Sequence, residues 1–178
     1  MKKIKDKLKS IGWKFYNDRR GFNQSILKPL HLLTLKRSEY YSECINYYSH
    51  LNVKNKYVLD IGSDFGTTPM YFLQRGALTI LGISEMKQYF YNDNYRQLDI
   101  MPIHKVFDLQ KLMHFQVLKS NSNGFEWNFT KEFINSFQDW IIVCHYPIQN
   151  PELFKFIEFE GKLIGKEEYG AVYKKRGV

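Results

Sequence analysis

Residues 57–85 read YVLDIGSDFGTTPMYFLQRGALTILGISE, and this stretch restricts the fold more than any other part of the chain. The apolar run YVLDI closes on Asp60 and leads into a turn that holds Gly62 and Gly66. Thr67 to Arg75 carries a helical pattern, and Pro69 is tolerated there because the first helical turn has no N–H partners to lose. Gly76 supplies the stop. A second apolar run, LTILGI, leads to Ser84 and Glu85. Apolar strands joined by a helix form a parallel pair, because parallel neighbours need a crossover that covers the faces of the sheet.

The alternation continues downstream. Met86 to Asn94 reads as a second helix, and IHKVFDL, opened by Pro102, as a third strand. Residues 118–128 (LKSNSNGFEWN) read as a long polar loop. Thr130 to Gln138 reads as a helix with Thr130 as N-cap, WIIVC as the fourth and most apolar strand, and PELFKFI as a short helix. GKLIGKEEYGAVYKKR reads as a hairpin turning near Lys166 to Tyr169. The expected fold is therefore α/β, a Rossmann-like doubly wound sheet, mostly parallel, with a terminal antiparallel hairpin. Few residues remain after WIIVC, so the sheet is expected to be shortened at its C-terminus, with any fifth strand confined to Ile157 to Glu160. The exposed edge that shortening leaves would favour a homodimer.

Residues 1–56 form an N-terminal helical extension ahead of a domain spanning 57–178. Ile4, Leu8 and Ile11 share one face of a short helix, and Gly12, Gly21 and Pro29 break up the irregular stretch after it. A second helix starts from Ser38 as N-cap, with Tyr41, Cys44, Ile45, Tyr48 and Leu51 on one face. The extension holds 13 Lys/Arg against 4 Asp/Glu and the remainder 13 against 14, so the whole positive excess behind the net charge of +8 lies before Tyr57. Lys14, Arg19, Arg20, Lys28, Lys36 and Arg37 interleave with Trp13, Phe15, Tyr16 and Phe22, a pattern that suits a single-stranded nucleic acid. A solvated basic surface over aromatics packed beneath the sheet accounts for it equally. The two cysteines, Cys44 and Cys144, form no CxxC pair, which disfavours a zinc knuckle or disulfide framework, suits a reducing cytoplasm and leaves no metal site in view. No apolar stretch approaches the length of a membrane span, and the lysine-rich start lacks the core of a signal peptide. The expectation is a cytoplasmic protein with no membrane partner.

In parallel sheets ligands bind beyond the carboxyl ends of the strands, where Asp60, Glu85, Asp108 and His145 fall. The turn Gly62-Ser63-Asp64-Phe65-Gly66 has the spacing G-x-x-x-G, not the G-x-G-x-x-G of a dinucleotide site, and Asp64 would repel a pyrophosphate. A ligand with positive groups suits it better, and S-adenosylmethionine is one. Asp60 and Asp64 can face its ammonium side, Glu85 both ribose hydroxyls, and Asp108 the adenine amine, with Phe107 or Leu109 against the ring.

These residues resemble motifs I and II of class I S-adenosylmethionine-dependent methyltransferases: apolar residues before Asp60-x-Gly62-x-x-x-Gly66, then Arg75-Gly76-Ala77, then a strand closing on an acid. The nearest sub-pattern is that of FkbM-like methyltransferases, whose turn reads D-x-G-A-N-x-G; here Asp64 stands for the Asn, and Thr67 and Thr68 come after it. The resemblance implies a cofactor held by Asp60, Gly62, Ser63, Asp64, Gly66, Glu85, Met86, Asp108 and Leu109. The acid falls a residue or two late, so either Ser84 shares the ribose role or the strand bulges. It also implies methyl transfer to an oxygen or nitrogen acceptor on a small molecule or a nucleic acid. Where the class carries its substrate-facing motif, Cys144-His145-Tyr146-Pro147 matches neither the (Asp/Asn/Ser)-Pro-Pro-(Tyr/Phe) of base amino methyltransferases nor the Asp-x-Glu-Gly of FkbM-like enzymes. His145 is the candidate general base, since histidine titrates near neutrality, and Tyr146 stands beside it; a histidine hydrogen-bonded at a strand end is the competing reading. Cys144 reads as a buried strand residue. The alternative function is a non-catalytic binding protein that keeps the cofactor fold, with residues 1–56 as a nucleic-acid module. The turn disfavours a nicotinamide oxidoreductase.

Overall fold

The structure, a computed structural model, describes residues 15–17, 23–25, 39–63, 67–84, 95–99 and 109–177. Strands β1 (Phe15–Asn17) and β2 (Asn23–Ser25) form an antiparallel pair of their own. The main sheet has seven strands: β3 (Tyr57–Ile61), β4 (Thr79–Ser84), β5 (Tyr95–Asp99), β6 (Val117–Ser120), β7 (Asp139–His145), β8 (Gly161–Glu167) and β9 (Gly170–Lys175). Their spatial order is β5-β4-β3-β6-β7-β9-β8. Strands β3 to β7 are parallel, and β9 lies antiparallel between β7 and β8. The mixed α/β architecture with a terminal antiparallel hairpin is the one expected from the sequence.

Helices α1 (Glu39–Asn46) and α2 (Thr67–Gln74) cover one face, and α3 (Lys131–Asn135) and α4 (Pro151–Glu160) the other. Alternation along β3 explains both layers. Val58 packs with Cys44, Tyr48, Leu51 and Phe72, while Leu59 and Ile61 pack with Phe133, Trp140 and Ile157. The helix starts are capped as their sequences demand. Thr130 Oγ1 accepts from the N–H of Phe133 at 3.1 Å, and Asn150 Oδ1 from that of Leu153 at 3.1 Å, with Pro151 at the first helical position.

Several expectations need correction. The third described strand of the parallel set is Tyr95–Asp99, which the sequence pattern does not pick out; the strand expected over IHKVFDL lies outside the described residues except for Leu109, which is in a 3-10 turn with Leu112. YRQLD is polar because, among the described residues, β5 pairs only with β4 and stands at the sheet edge. The fourth described strand of that set is Val117–Ser120, overlapping the start of the segment read as a loop, so WIIVC belongs to the fifth. Ile157 to Glu160 are helical and supply no strand; a single helix, α4, leads from β7 into the hairpin. The extension is not wholly helical, since β1 and β2 lie in it. From α1 onward it belongs to the sheet's own core through Cys44, Tyr48, Leu51 and Val53, and the Asn52 N–H donates to Asp139 at 3.0 Å, the carboxylate that also pairs with buried Lys174. The helices expected over Ile4 to Ile11 and Met86 to Asn94, and the Ser38 cap, lie outside the described residues. Among those described, no helix is long and apolar enough to cross a membrane.

Candidate functional site

The sheet order reverses between β3 and β6, and in open parallel sheets the crevice at such a switch point, beyond the strands' carboxyl ends, is where ligands bind. Gly62 leaves β3 with φ +80°, while its N–H and that of Ser63 both donate to the Ile83 carbonyl of β4, at 2.8 and 3.1 Å. On the other side Asn121 N–H donates to Ile61 O at 3.0 Å. The exits of β3 and β6 approach so closely that a Cβ on Gly62 would stand 1.7 Å from the Asn121 carbonyl oxygen. Glycine is required there twice, by conformation and by space.

Directly behind the turn lies an ion pair that the sequence does not announce. Lys119 faces Asp60 across the β3–β6 ladder, with Nζ 2.9 Å from the carboxylate. Both side chains are almost wholly buried, at 2% and 0% exposure. Nζ also donates to Gly62 O at 2.7 Å and lies 5.2 Å from the centroid of the Tyr48 ring. One ammonium thus ties the strand, the turn at its end and the segment after α1. A buried lysine needs such partners, because isolated charge in the interior is strongly penalised.

From Tyr48 a polar chain runs along the strand tips. Tyr48 OH donates to Glu43 at 3.1 Å, and Asn121 Nδ2 donates to both Tyr48 OH and Glu43, at 3.0 and 3.2 Å. Tyr169, from the β8–β9 turn, reaches Glu43 at 3.5 Å and stacks on His145, ring centroids 5.6 Å apart and planes 22° apart. Burial, then the Glu43 charge, holds the Tyr48 phenol well above its ordinary value. The folded state therefore keeps the proton longer than the unfolded chain, so this contribution is whole below about pH 10 and is lost as pH rises beyond it. The denaturation midpoint in urea should fall more steeply above about pH 10 in the parent than in Tyr48→Phe.

His145 ends β7, and its ring is fixed by Glu126 in the 3-10 turn Phe125–Asn128. Glu126 is fully buried; its Oε1 accepts from the His145 backbone N–H at 2.7 Å and lies 2.8 Å from Nδ1. Its Oε2 accepts from the Gly124 N–H at 3.0 Å and from Ser122 Oγ at 3.4 Å. A carboxylate can only accept, so against it Nδ1 is the donor, and a neutral ring so held has its lone pair on Nε2. Nε2 is buried and has no hydrogen-bond partner among the described residues. Tyr146 is half exposed, and its N–H donates to the Tyr169 carbonyl at 2.9 Å. Burial pushes the Cys144 thiol far up, so it stays protonated and is no nucleophile; the Cys44 thiol is pushed up to about 12 for the same first reason.

Of the residues singled out from the sequence, Asp60, Gly62, Ser63 and Ser84 come together at the tips of β3 and β4, and His145 and Tyr146 stand at the tip of β7. Leu109 is partly buried against the core layer of α3 and α4. Asp64, Gly66, Glu85, Met86 and Asp108 lie outside the described residues. Asp60 was expected to face a ligand's ammonium; the ammonium it meets in the fold is that of Lys119. The segment after β6 is Asn121-Ser122-Asn123-Gly124, and it too matches neither substrate-facing pattern. Lys119, Asn121, Glu126, Glu43 and Tyr48 were missed. Among the described residues no cluster of His, Cys, Asp or Glu could hold a metal ion.

No protein-family profile matches the chain, and no curated protein does. Solved structures are similar in fold. A protein described as a hemolysin from Lactococcus lactis superposes with a TM-score of 0.51 at 12% identity, over 77% of this chain and 83% of that one. A protein described as a ribosomal RNA methyltransferase from Plasmodium falciparum superposes with a TM-score of 0.50 at 15% identity, over 78% and 95%. The fibrillarin of Aeropyrum pernix, with S-adenosyl-L-methionine natively bound, gives 0.49 at 11% identity, over 92% and 82%.

Proposed function

We propose that this chain, which has the class I methyltransferase fold, is an S-adenosylmethionine-dependent methyltransferase acting on an oxygen or nitrogen acceptor. Within that fold we place it nearest the FkbM-like enzymes, on the turn from Asp60 to Gly66. The observation that carries the reading is the switch-point crevice. A glycine turn without the diphosphate pattern borders it on one side, and on the other Asn121 and Ser122 lead to the Glu126–His145 pair.

The chain's own charges define how the cofactor fits. Asp60 is met by Lys119, so the two brace the turn, and the ammonium of the ligand falls to Asp64 and to backbone groups from Gly62 to Gly66. Ser63 lines the start of that turn. Ser84, which ends β4, and Glu85, next in the sequence, suit the ribose hydroxyls, while Met86, Asp108 and Leu109 are assigned to the adenine. When bound, the cofactor supplies a methyl group on a positively charged sulfur. His145 serves as the base, Tyr146 borders the acceptor's path, and most of the rate comes from alignment of acceptor and methyl group.

Isothermal calorimetry with S-adenosylmethionine and S-adenosylhomocysteine tests the cofactor assignment: saturable binding of both is expected, and binding of neither overturns it. With labelled methyl groups and a cell extract as acceptor, His145→Ala should slow transfer by about 10²–10⁴-fold; equal rates would remove His145 from the chemistry. The excess of Lys and Arg in residues 1–56 supports a phosphate-bearing acceptor, for which binding would weaken steeply with salt. A second reading, a protein that binds the cofactor without using it, is favoured by one observation, the internal ammonium on Asp60. Calorimetric binding with no label transferred to any extract would establish it.

A further inference from the structure

The Glu126–His145 pair says what kind of acceptor the site is built for. An amine attacks through a free lone pair and sheds its proton afterwards, so a base held in place gains it little. A neutral hydroxyl is a poor nucleophile until its proton has somewhere to go. Resting on the methyltransferase reading, we infer that Glu126 is a positioning residue that holds His145 as the tautomer with a bare Nε2, and that the acceptor is a hydroxyl.

Three observations converge on this. Glu126 is fully buried, and its two oxygens accept from His145 N–H, Gly124 N–H and Ser122 Oγ besides the ring, so the carboxylate is clamped before it meets the imidazole. The same oxygen holds both the backbone N–H and Nδ1 of His145, which fixes the ring as well as its tautomer. Nε2 is buried with its hydrogen-bonding capacity unused among the described residues, and a hydroxyl brought to it would complete that capacity. Tyr169 covers one face of the ring, from the β8–β9 turn, and Glu43 lies beyond it.

In the transfer the acceptor oxygen forms the new bond to the methyl carbon with its own electron pair. The pair of the carbon–sulfur bond stays on sulfur, which becomes a neutral thioether. The hydroxyl proton passes to Nε2 of His145 and from there to solvent, while Glu126 stays ionised and faces the imidazolium that forms.

The test begins with the tautomer, which can be read without any substrate. In the full chain labelled with ¹⁵N-histidine, with His145→Gln to assign the signal, long-range ¹H–¹⁵N correlation should show the neutral His145 ring protonated on Nδ1 and bare on Nε2. Glu126→Gln, which keeps the size of the side chain, should lose that preference and slow transfer of labelled methyl to extract hydroxyl compounds by about 10²-fold, the lower range of general-base catalysis, while S-adenosylmethionine affinity stays at the parent value. A parent ring protonated on Nε2 overturns the proposal, as does a Glu126→Gln variant that transfers at the parental rate. Label found only on nitrogen overturns the hydroxyl assignment. A parent chain that binds no S-adenosylmethionine overturns the methyltransferase reading instead, and the tautomer spectrum then still reports on Glu126 alone.

Discussion

Replacing Lys119 by methionine is expected to lower the free energy of unfolding by about 3–5 kcal/mol, the usual loss when one partner of a buried ion pair is removed. The side chain is 2% exposed and Asp60 0%, so solvent cannot move in to replace the missing cation without opening the sheet between β3 and β6. Methionine fills the space of the aliphatic stem and leaves the carboxylate without its ammonium, and the Gly62 carbonyl loses its donor at 2.7 Å. Urea denaturation of the parent, Lys119→Met, Asp60→Asn and the double variant measures the effect as a cycle. The double variant should recover most of the loss, because an uncharged pair carries no uncompensated charge. A single variant within about 1 kcal/mol of the parent, the range of an exposed pair, would mean that the two groups are solvated and do not brace the turn. Since the same ammonium holds the turn in our cofactor assignment, Lys119→Met should also weaken S-adenosylmethionine binding at temperatures where the variant is folded.

The parts of this fold visible in the sequence are those whose neighbours enforce an uninterrupted apolar pattern. Tyr57–Ile61 and Asp139–His145 are covered on both faces and read as strands at once, and the Thr67–Gln74 helix is fixed by its place between two such runs. Tyr95–Asp99 escaped because a strand with one neighbour among the described residues, at the sheet edge, carries no such pattern. Val117–Ser120 escaped for a different reason. It is short, and its lysine reads as solvent-facing until Asp60 is seen opposite it. That one miss displaced the count of all later strands. The site shows the same division. Asp60, Gly62 and His145 were legible because strand-end acids, turn glycines and a strand-end histidine are local signals. Glu126 and Lys119 were not, because each acts through a partner brought near only by the sheet, His145 in one case and Asp60 in the other. A glutamate in a polar stretch and a lysine in a short strand have solvation as their ordinary explanation.

Gly62→Ala should be the most damaging single methyl group that can be added to this chain's described turns, and Gly76→Ala shows how much of the damage comes from conformation alone. Both glycines have positive φ, +80° and +85°. At Gly76 a Cβ would meet nothing nearer than the Lys54 side chain, 3.5 Å away, so alanine there bears only the left-handed penalty of about 1–2 kcal/mol. At Gly62 the Cβ would lie 1.7 Å from the Asn121 carbonyl oxygen and 2.6 Å from its carbon, both backbone atoms of the β6 exit. They cannot swing aside as a side chain would. Relief requires that the exits of β3 and β6 part, which breaks the Asn121 N–H bond to Ile61 O and pulls Lys119 from the Gly62 carbonyl. The expected cost is above about 4 kcal/mol, among the largest single-residue effects. By the scaling for chains of this size, Gly76→Ala should lower the melting temperature by about 2–8 °C and Gly62→Ala by more than about 8 °C. Differential scanning calorimetry of the two variants side by side decides the matter. Equal decreases would show that the two strand exits are not in contact.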